Sequence, residues 1–526
     1  MAFVLFLALG PSCGTRSNPA ATCADGVCSD PVFPFCDVTG EIGGAAGTCI
    51  AVTCDAGSIG GCEGSDKLVC SATGTTYVTK ACANGCDPIA GCLECAPNQS
   101  VCTTDGNFET CDGTGGATTT VCAQACDGAL GCVACEPSTV ACTADGSAVQ
   151  TCDGSGKVAS TDACSTGCGS DGGAHCAKLV PSNGLQAYFD MVPSPIDLSF
   201  VNGQLAIGSD SASFASPIGA PSFPVTVFHV PAPTGGAPIA VIVGRKITLG
   251  HISVVNADLQ INEGVGPAVA FLATEELEVS GSVLLQTGGV NLSGCKGGFP
   301  VFTAVGTSNR HGGGGGGGNA TDGASGGSVV SSAAGGTAGH AVGNDELVPL
   351  KGGCPGAFAP PTAGGGGGGA IQLVSLTAIR INASIVADGN VSIASGLTGC
   401  GGGAGGGILV EAPSVTLDVA AALLARGGGG YSGDETDPIA PADGSTIPGG
   451  VCSTSTACGN GGNGGTTTVA AGVGNNVGVS ANNFIVAGGG GGGVGRIRIN
   501  TLDGSFAKAS TAIIAGRLTA GVAPLR

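Results

Sequence analysis

The chain has 526 residues, enough for roughly two to four domains, with 102 glycines, no tryptophan, 4% aromatic and 10% charged residues. Asp and Glu outnumber Lys and Arg by 37 to 17, a net charge of −20, so the surface field repels phosphate backbones and nucleic acid is excluded as a partner. Few aromatic side chains remain to wall a catalytic pocket, and solubility falls to glycine backbone, Ser, Thr and Asn, which suits an extracellular or surface-exposed protein.

Residues 1–13 open with an apolar stretch, Met1 to Ser12, too short to span a bilayer and followed directly by Cys13. This segment resembles the end of a bacterial lipoprotein signal peptide, although a basic leader is absent and Gly10 stands where that pattern has leucine, with Leu9 one place further back. The resemblance implies lipidation of Cys13. Gly14, in place of the aspartate linked with inner-membrane retention, implies the outer membrane; ordinary secretion is the alternative. Lipidation would leave 27 of the 28 cysteines, an odd number, so at least one would lie outside intramolecular pairs. No later stretch offers the 18 or so consecutive apolar residues of a membrane-spanning helix, so membrane contact is expected only through an N-terminal lipid.

A short cysteine-rich unit, residues 14–53, carries Cys23, Cys28, Cys36 and Cys49. Three blocks of six cysteines follow at residues 54–94, 95–134 and 135–178. They are Cys54, Cys62, Cys70, Cys82, Cys86, Cys92; Cys95, Cys102, Cys111, Cys122, Cys126, Cys132; and Cys135, Cys142, Cys152, Cys164, Cys168, Cys176. Such spacing marks a disulfide framework assembled outside a reducing cytoplasm. About 40 residues bury too little apolar area to offset chain entropy, so cross-links replace a core. Six cysteines allow 15 pairings and spacing selects none. Asp105-Gly106, Asp112-Gly113, Asp145-Gly146 and Asp153-Gly154 predict hairpin turns, since Asp and Gly both tolerate positive φ; Asp66-Lys67 in the first block is a weaker signal. The Cys-x-x-Cys pairs Cys92/Cys95 and Cys132/Cys135 straddle block boundaries with no histidine beside them, which favours structural disulfides over zinc or redox chemistry. The turn aspartates are explained by turn chemistry without calcium.

A proline-bearing stretch, residues 179–235, reads as linker and solenoid cap before a glycine-rich β-solenoid-like domain at 236–526. There apolar residues recur on one template: Val269, Phe271, Leu277, Val279, Val283 and Leu285. Shifted by 102 it gives Ile371, Leu373, Ile379, Ile381, Ile385 and Ala387; 30 residues before, it gives Ile239, Val241, Ile247, Leu249 and Val255, with Ser253 the single miss. Ile408, Val410, Leu417, Val419, Leu423 and Ala425 form a further copy with one inserted turn residue, and Ile497, Ile499, Ile513 and Ala515 match only at the ends. Spacing of two places these residues on one strand face, with Glu276, Glu278, Arg380, Asn382 and Asp418 pointing outward. No rung buries its face alone, so the copies are expected to stack as coils of a parallel β-solenoid. The fold class is all-β: small disulfide-rich repeat modules, then a parallel β-solenoid-like domain with glycine-rich loops.

Glycine tracts separate the rungs: Gly312 to Gly318, Gly364 to Gly369, Gly401 to Gly407 with Ala404 inside, Gly427 to Gly430, and Gly488 to Gly493. They are either flexible insertions or side-chain-free segments hydrogen-bonded side by side. Their recurrence before Ala370, Ile408 and Val494 favours order. The runs Ala370-Ile371-Gln-Leu-Val, Gly407-Ile408-Leu-Val-Glu-Ala-Pro413 and Val494-Gly-Arg496-Ile-Arg498-Ile resemble glycine-rich, cysteine-repeat secreted and surface (lipo)proteins of myxobacteria and related δ-proteobacteria, over about residues 225 to 520. The resemblance implies a cell-surface setting and carries no catalytic residues with it.

The five histidines, His175, His229, His251, His311 and His340, form no ligand or catalytic spacing, and no nucleophile elbow or phosphate loop is present. His311, beside Arg310 at the mouth of a glycine tract, is the one to follow. Asp434, Glu435 and Asp437 read as a solvated loop with calcium or carbohydrate contact as the rival reading. Cys452 and Cys458 are expected to pair locally, and Cys295, Cys354 and Cys400 to cross-link glycine-rich insertions. No catalytic residue, metal or cofactor is expected. The function that follows is a non-enzymatic cell-surface or extracellular structural and adhesion protein, a disulfide stalk with a glycine-rich β head. Its partners would be cell envelope or extracellular matrix components, including glycans. The alternatives are a polysaccharide-binding or polysaccharide-degrading β-helix protein, and cysteine modules that bind protein ligands or inhibit proteases.

Overall fold

The computed structural model describes residues 22–23, 27–33, 35–40, 45–51, 54–72, 74, 76–164, 166–208, 211–215, 223–231, 238–256, 266–286, 294–305, 308–357, 364–391, 399–432, 443–452, 458–478 and 484–526. The chain divides into two compact units, residues 1–163 with 172–175, and residues 164–171 with 176–526. Cys13 and the acidic trio Asp434, Glu435 and Asp437 lie outside the described residues.

Each six-cysteine block is a three-stranded and a two-stranded antiparallel sheet held by disulfides, the last three cysteines of the third block falling in the second unit. The first two blocks share one connectivity. Cys54–Cys70, Cys62–Cys86 and Cys82–Cys92 join first to third, second to fifth and fourth to sixth, and Cys95–Cys111, Cys102–Cys126 and Cys122–Cys132 repeat the scheme. Cys135–Cys152 and Cys164–Cys176 continue it in the third block. Cys92, Cys95, Cys132 and Cys135 thus all sit in structural bridges. The preceding unit pairs Cys23–Cys36 and Cys28–Cys49. Cross-links at this density are consistent with an oxidising, extracellular setting.

The turns differ from expectation in one respect. Gly106 and Gly146 take positive φ as predicted, but in the second turn of each block the left-handed residues are Gly115 and Gly156, not Gly113 and Gly154. The reason is that Asp112 does not occupy a two-residue turn. Its Oδ1 accepts the N–H groups of Thr114 and Gly116 at 2.8 and 2.9 Å and the Thr114 hydroxyl at 2.7 Å, closing a wider loop between Cys111 and Ala117. Asp153 does the same with Ser155 and Lys157. A side chain on Gly115 would overlap Leu93 in the link between blocks, and one on Gly156 would overlap Val133 in the next link. The first block does form a hairpin, through Gly64 and Ser65, with Glu63 opposite Asp66.

In the second unit two parallel sheets wind as a solenoid. One sheet stacks, in order, Phe228–Val230, Ile239–Gly244, Ala268–Ala273, Ala370–Ser375, Gly407–Glu411, Arg496–Thr501 and Arg517–Val522, parallel except for the first pair. The other stacks the remaining strands of the same rungs, with Leu198–Ile207 parallel to Ile247–Asn256. Val269 is opposite Ile371, Phe271 opposite Leu373, Leu277 opposite Ile379 and Val283 opposite Ile385, so the shift of 102 is the true register. Phe271, Leu373 and Val410 share one continuous buried core.

Three copies of the template are displaced by one or two residues. Ala240 and Ile242, not Ile239 and Val241, face the common core, and Ile252 and Val254 fill the places assigned to Ser253 and Val255. Ile239–Gly244 is buried on both faces, so alternation carries no signal there. In the fourth copy Val415 and Leu417 pack inside while Val419 is 73% exposed, because the first corner is shorter and the second longer. In the last copy Ile514, not Ile513, packs against this core.

The other face of the first sheet is covered by residues 179–190, where Leu179, Leu185 and Phe189 pack on Val241, Leu272, Val374 and Leu409. A buried carboxylate fixes this cover. Glu411 accepts hydrogen bonds from Ser182 N at 3.0 Å, Ser182 Oγ at 2.7 Å, Gln372 Nε2 at 2.6 Å and Asn500 Nδ2 at 2.9 Å. The outward residues of the second sheet pair between rungs, as in Arg380–Asp418 at 2.5 Å and Asn382–Glu278 at 3.3 Å.

The glycine tracts are ordered and lie side by side. Within a tract, residues three apart donate to the same neighbour, the threefold pattern of polyproline II-type helices. Gly488 and Gly491 donate to Asn475 O and Gly472 O, Gly489 and Gly492 to Tyr431 O and Gly428 O, and Gly490 and Gly493 to Gly314 O and Gly317 O. The same tract accepts from Ala324 and Gly327, from Gly462 and Gly465, and from Gly402 and Gly405. Six neighbours therefore surround it in hexagonal fashion. Gly312 to Gly318 and Gly401 to Gly407 are surrounded in the same way. A Cβ at Gly489, Gly491 or Gly492 would overlap the carbonyl oxygen of Cys400, Asn463 or Gly403, so only glycine permits this approach. Cys295–Cys354 links two neighbouring segments, Cys452–Cys458 closes locally, and Cys400 is a buried thiol.

Candidate functional site

The outer segments of the glycine bundle present side chains on a fixed frame. Residues 460–465 accept from residues 472–475, which donate onward to Ser325 O, and residues 323–326 donate to Gly339 O and Gly336 O. Four segments thus run in sequence across the surface. Each exposes about one residue in three: Asn460 and Asn463; Ala470, Val473 and Asn476; Asp322 and Ser325; Ala334, Thr337 and His340. At about 3.1 Å per residue these side chains recur every ~9 Å along a segment. The sequence signal was the triplet Gly-Gly-Asn-Gly-Gly across 461–465 and its looser relatives, which tract counting alone passes over.

Arg426 anchors the base of this frame. It is 1% exposed, donates from Nη2 to Asp388 Oδ2 at 2.7 Å and from Nη1 to Ser445 O at 2.9 Å, and joins the two segments leaving the rungs at residues 387 and 425. Such a pair is retained by its hydrogen bonds as much as by its charge.

The histidines are dispersed. His311 ends the strand Ser308–His311 and meets the Phe302 ring edge-on at 4.9 Å between centroids. Burial pushes its pKa below the ordinary imidazole value, which keeps it neutral at pH 7. His340 lies 3.5 Å from Asp322 in an exposed pair, His229 sits in Phe228–Val230, and His251 occupies a corner with φ 51°. Among the described residues the close groups of potential metal ligands are Cys23, Cys28 and Cys49, and Cys95, Glu109 and Cys111. Their sulfurs are committed to disulfides, so neither group offers thiolates. No helix among the described residues is long and apolar enough to cross a membrane.

The geometry defines an all-β protein of disulfide-linked modules followed by a large parallel β-solenoid whose insertions form a hexagonal glycine bundle. Comparison of the chain with family models, with curated proteins and with solved structures finds no match in any of the three.

Proposed function

We propose that this chain is a non-enzymatic cell-surface or extracellular structural and adhesion protein, with cross-linked modules as its protease-resistant part and the glycine-bundle unit as the presenting part. The observation that carries this reading is the bundle: its glycine segments are ordered chiefly by backbone hydrogen bonds to one another, and what they hold in place is a rigid outer array of side chains that includes Asn460, Asn463, Ser325 and Thr337. A pre-ordered array loses little conformational entropy when it engages a partner. The acidic surface and the dense disulfides support an extracellular address, and Cys13 is assigned as a lipid anchor to the outer membrane.

The test is fractionation of producing cells with and without palmitate labelling, combined with adherence of wild-type and deletion cells. Label in the outer-membrane fraction that disappears in Cys13→Ser, together with reduced adherence on deletion, is the expected result. Unlabelled protein in the medium would remove the anchor, and unchanged adherence would remove the adhesion role.

A further inference from the structure

The outer face of the second sheet carries a groove of about 670 Å³, set across three consecutive rungs and used by nothing described above. Its wall includes Asn202, Gln204, His251, Ser253, Ser282 and Leu284. Strand register places them in rows: Gln204 is opposite Ser253, Ser253 is opposite Leu284, and Asn202 lies beside His251. Rungs stack at about 4.8 Å, so polar groups recur along the groove at the spacing of adjacent strands.

The corner bordering this groove is unusual. Asn202 and His251 both take left-handed backbone, at φ 53° and 51°, a conformation uncommon for residues with side chains. In the next rung stands Gly281, where a Cβ would lie 2.5 Å from His251 N. One corner is thus stripped of its side chain while the two before it project an amide and an imidazole. Among the described residues no Asp, Glu, Lys or Arg lines the groove, and Leu284, 39% exposed, supplies an apolar face among amides and hydroxyls. Its volume falls in the roughly 300–1,000 Å³ of small-ligand sites.

We propose that this groove binds a segment of neutral polysaccharide. Amide and hydroxyl side chains exchange hydrogen bonds with sugar hydroxyls, while Leu284 packs against the C–H face of a ring. An acidic glycan would meet no cation among the described wall residues and a field set by a net charge of −20. The proposal rests on the adhesion reading and gives it a ligand class.

The experiment is calorimetric titration of the intact, oxidised protein with cellohexaose, maltohexaose, laminarihexaose and, as a charged control, hexagalacturonic acid. One or more neutral hexasaccharides should bind with little change between low and high salt. Ser282→Trp, which fills the groove, should weaken binding at least tenfold, and Gln204→Ala, at an exposed position, several-fold with an unchanged unfolding midpoint. Absence of binding by all three neutral sugars, tighter salt-dependent binding of hexagalacturonate, or binding indifferent to both variants would each overturn the proposal. Cell adherence separates the two layers: adherence that needs the protein but survives Ser282→Trp keeps the adhesion reading without the groove, whereas adherence unaffected by deletion removes the adhesion reading itself.

Discussion

Phe271 lies directly opposite Leu373 in adjacent strands, 102 residues further along the chain, and both side chains are fully buried in the same core. Between them in sequence run residues 294–357 and 364–369, whose glycine segments leave the solenoid and return without disturbing its register. Leu373→Ala should open a cavity that cannot collapse and cost about 2–5 kcal/mol. Val419→Ser, on a side chain 73% exposed, should leave stability within about 0.5 kcal/mol of wild type. Denaturant unfolding with disulfides intact checks both.

Gly491→Ala should destabilise the second unit by about 1–3 kcal/mol or more, because the added methyl meets Asn463 O in a fully occupied lattice. Gly478→Ala is the matched control, since a Cβ there meets nothing within 4 Å. Equal midpoints for the two variants would contradict the packing.

Glu411→Gln replaces an acceptor-only carboxylate with an amide that offers a donor to donors. Ser182 or Asn500 then loses its partner, at about 1.5–3 kcal/mol for a hydrogen bond to a charged group. Amide exchange should quicken first in residues 179–190, which Glu411 ties to the sheet.

The module turns have their own pH signature. Hydrogen bonds from Thr143 and Ser147 hold the Asp145 pKa at about 2, below the ordinary 3.8, and Asp112 and Asp153 are lowered for the same reason by Thr114 and Ser155. A depressed carboxylate pKa means the unfolded form takes up protons first as pH falls. The contribution of the Asp145 turn is therefore full above about pH 4 and lost as pH falls through about 2. Carboxyl-carbon NMR titration of Asp145 should show the low midpoint, and Thr143→Val with Ser147→Ala should move it up.

Much of the solenoid was legible because the rungs at 268–286 and 370–387 have equal corner lengths, so one template fits both. The rung at 239–256 misled by one residue in two of its strands: Ile239–Gly244 is apolar on both faces, and the tight corner at His251 shifts the strand beyond it. Glu411 and Gln372 are buried under residues 179–190, a contact across more than 180 positions that no local pattern encodes. The disulfide scheme was likewise beyond spacing, since it depends on which strands pair. The pure glycine tracts signalled order, but their partners, with a side chain at about every third residue, carry no run of glycines to mark them.

The most direct measurement is amide hydrogen exchange of the intact protein, resolved over residues 312–318, 401–407 and 488–493. Three tracts each enclosed by six hydrogen-bonded neighbours predict protection comparable to that of the strand Ala370–Ser375. Exchange of these glycines at the rate of an unstructured chain, with the strand still protected, would contradict the ordered bundle and the presenting surface built on it.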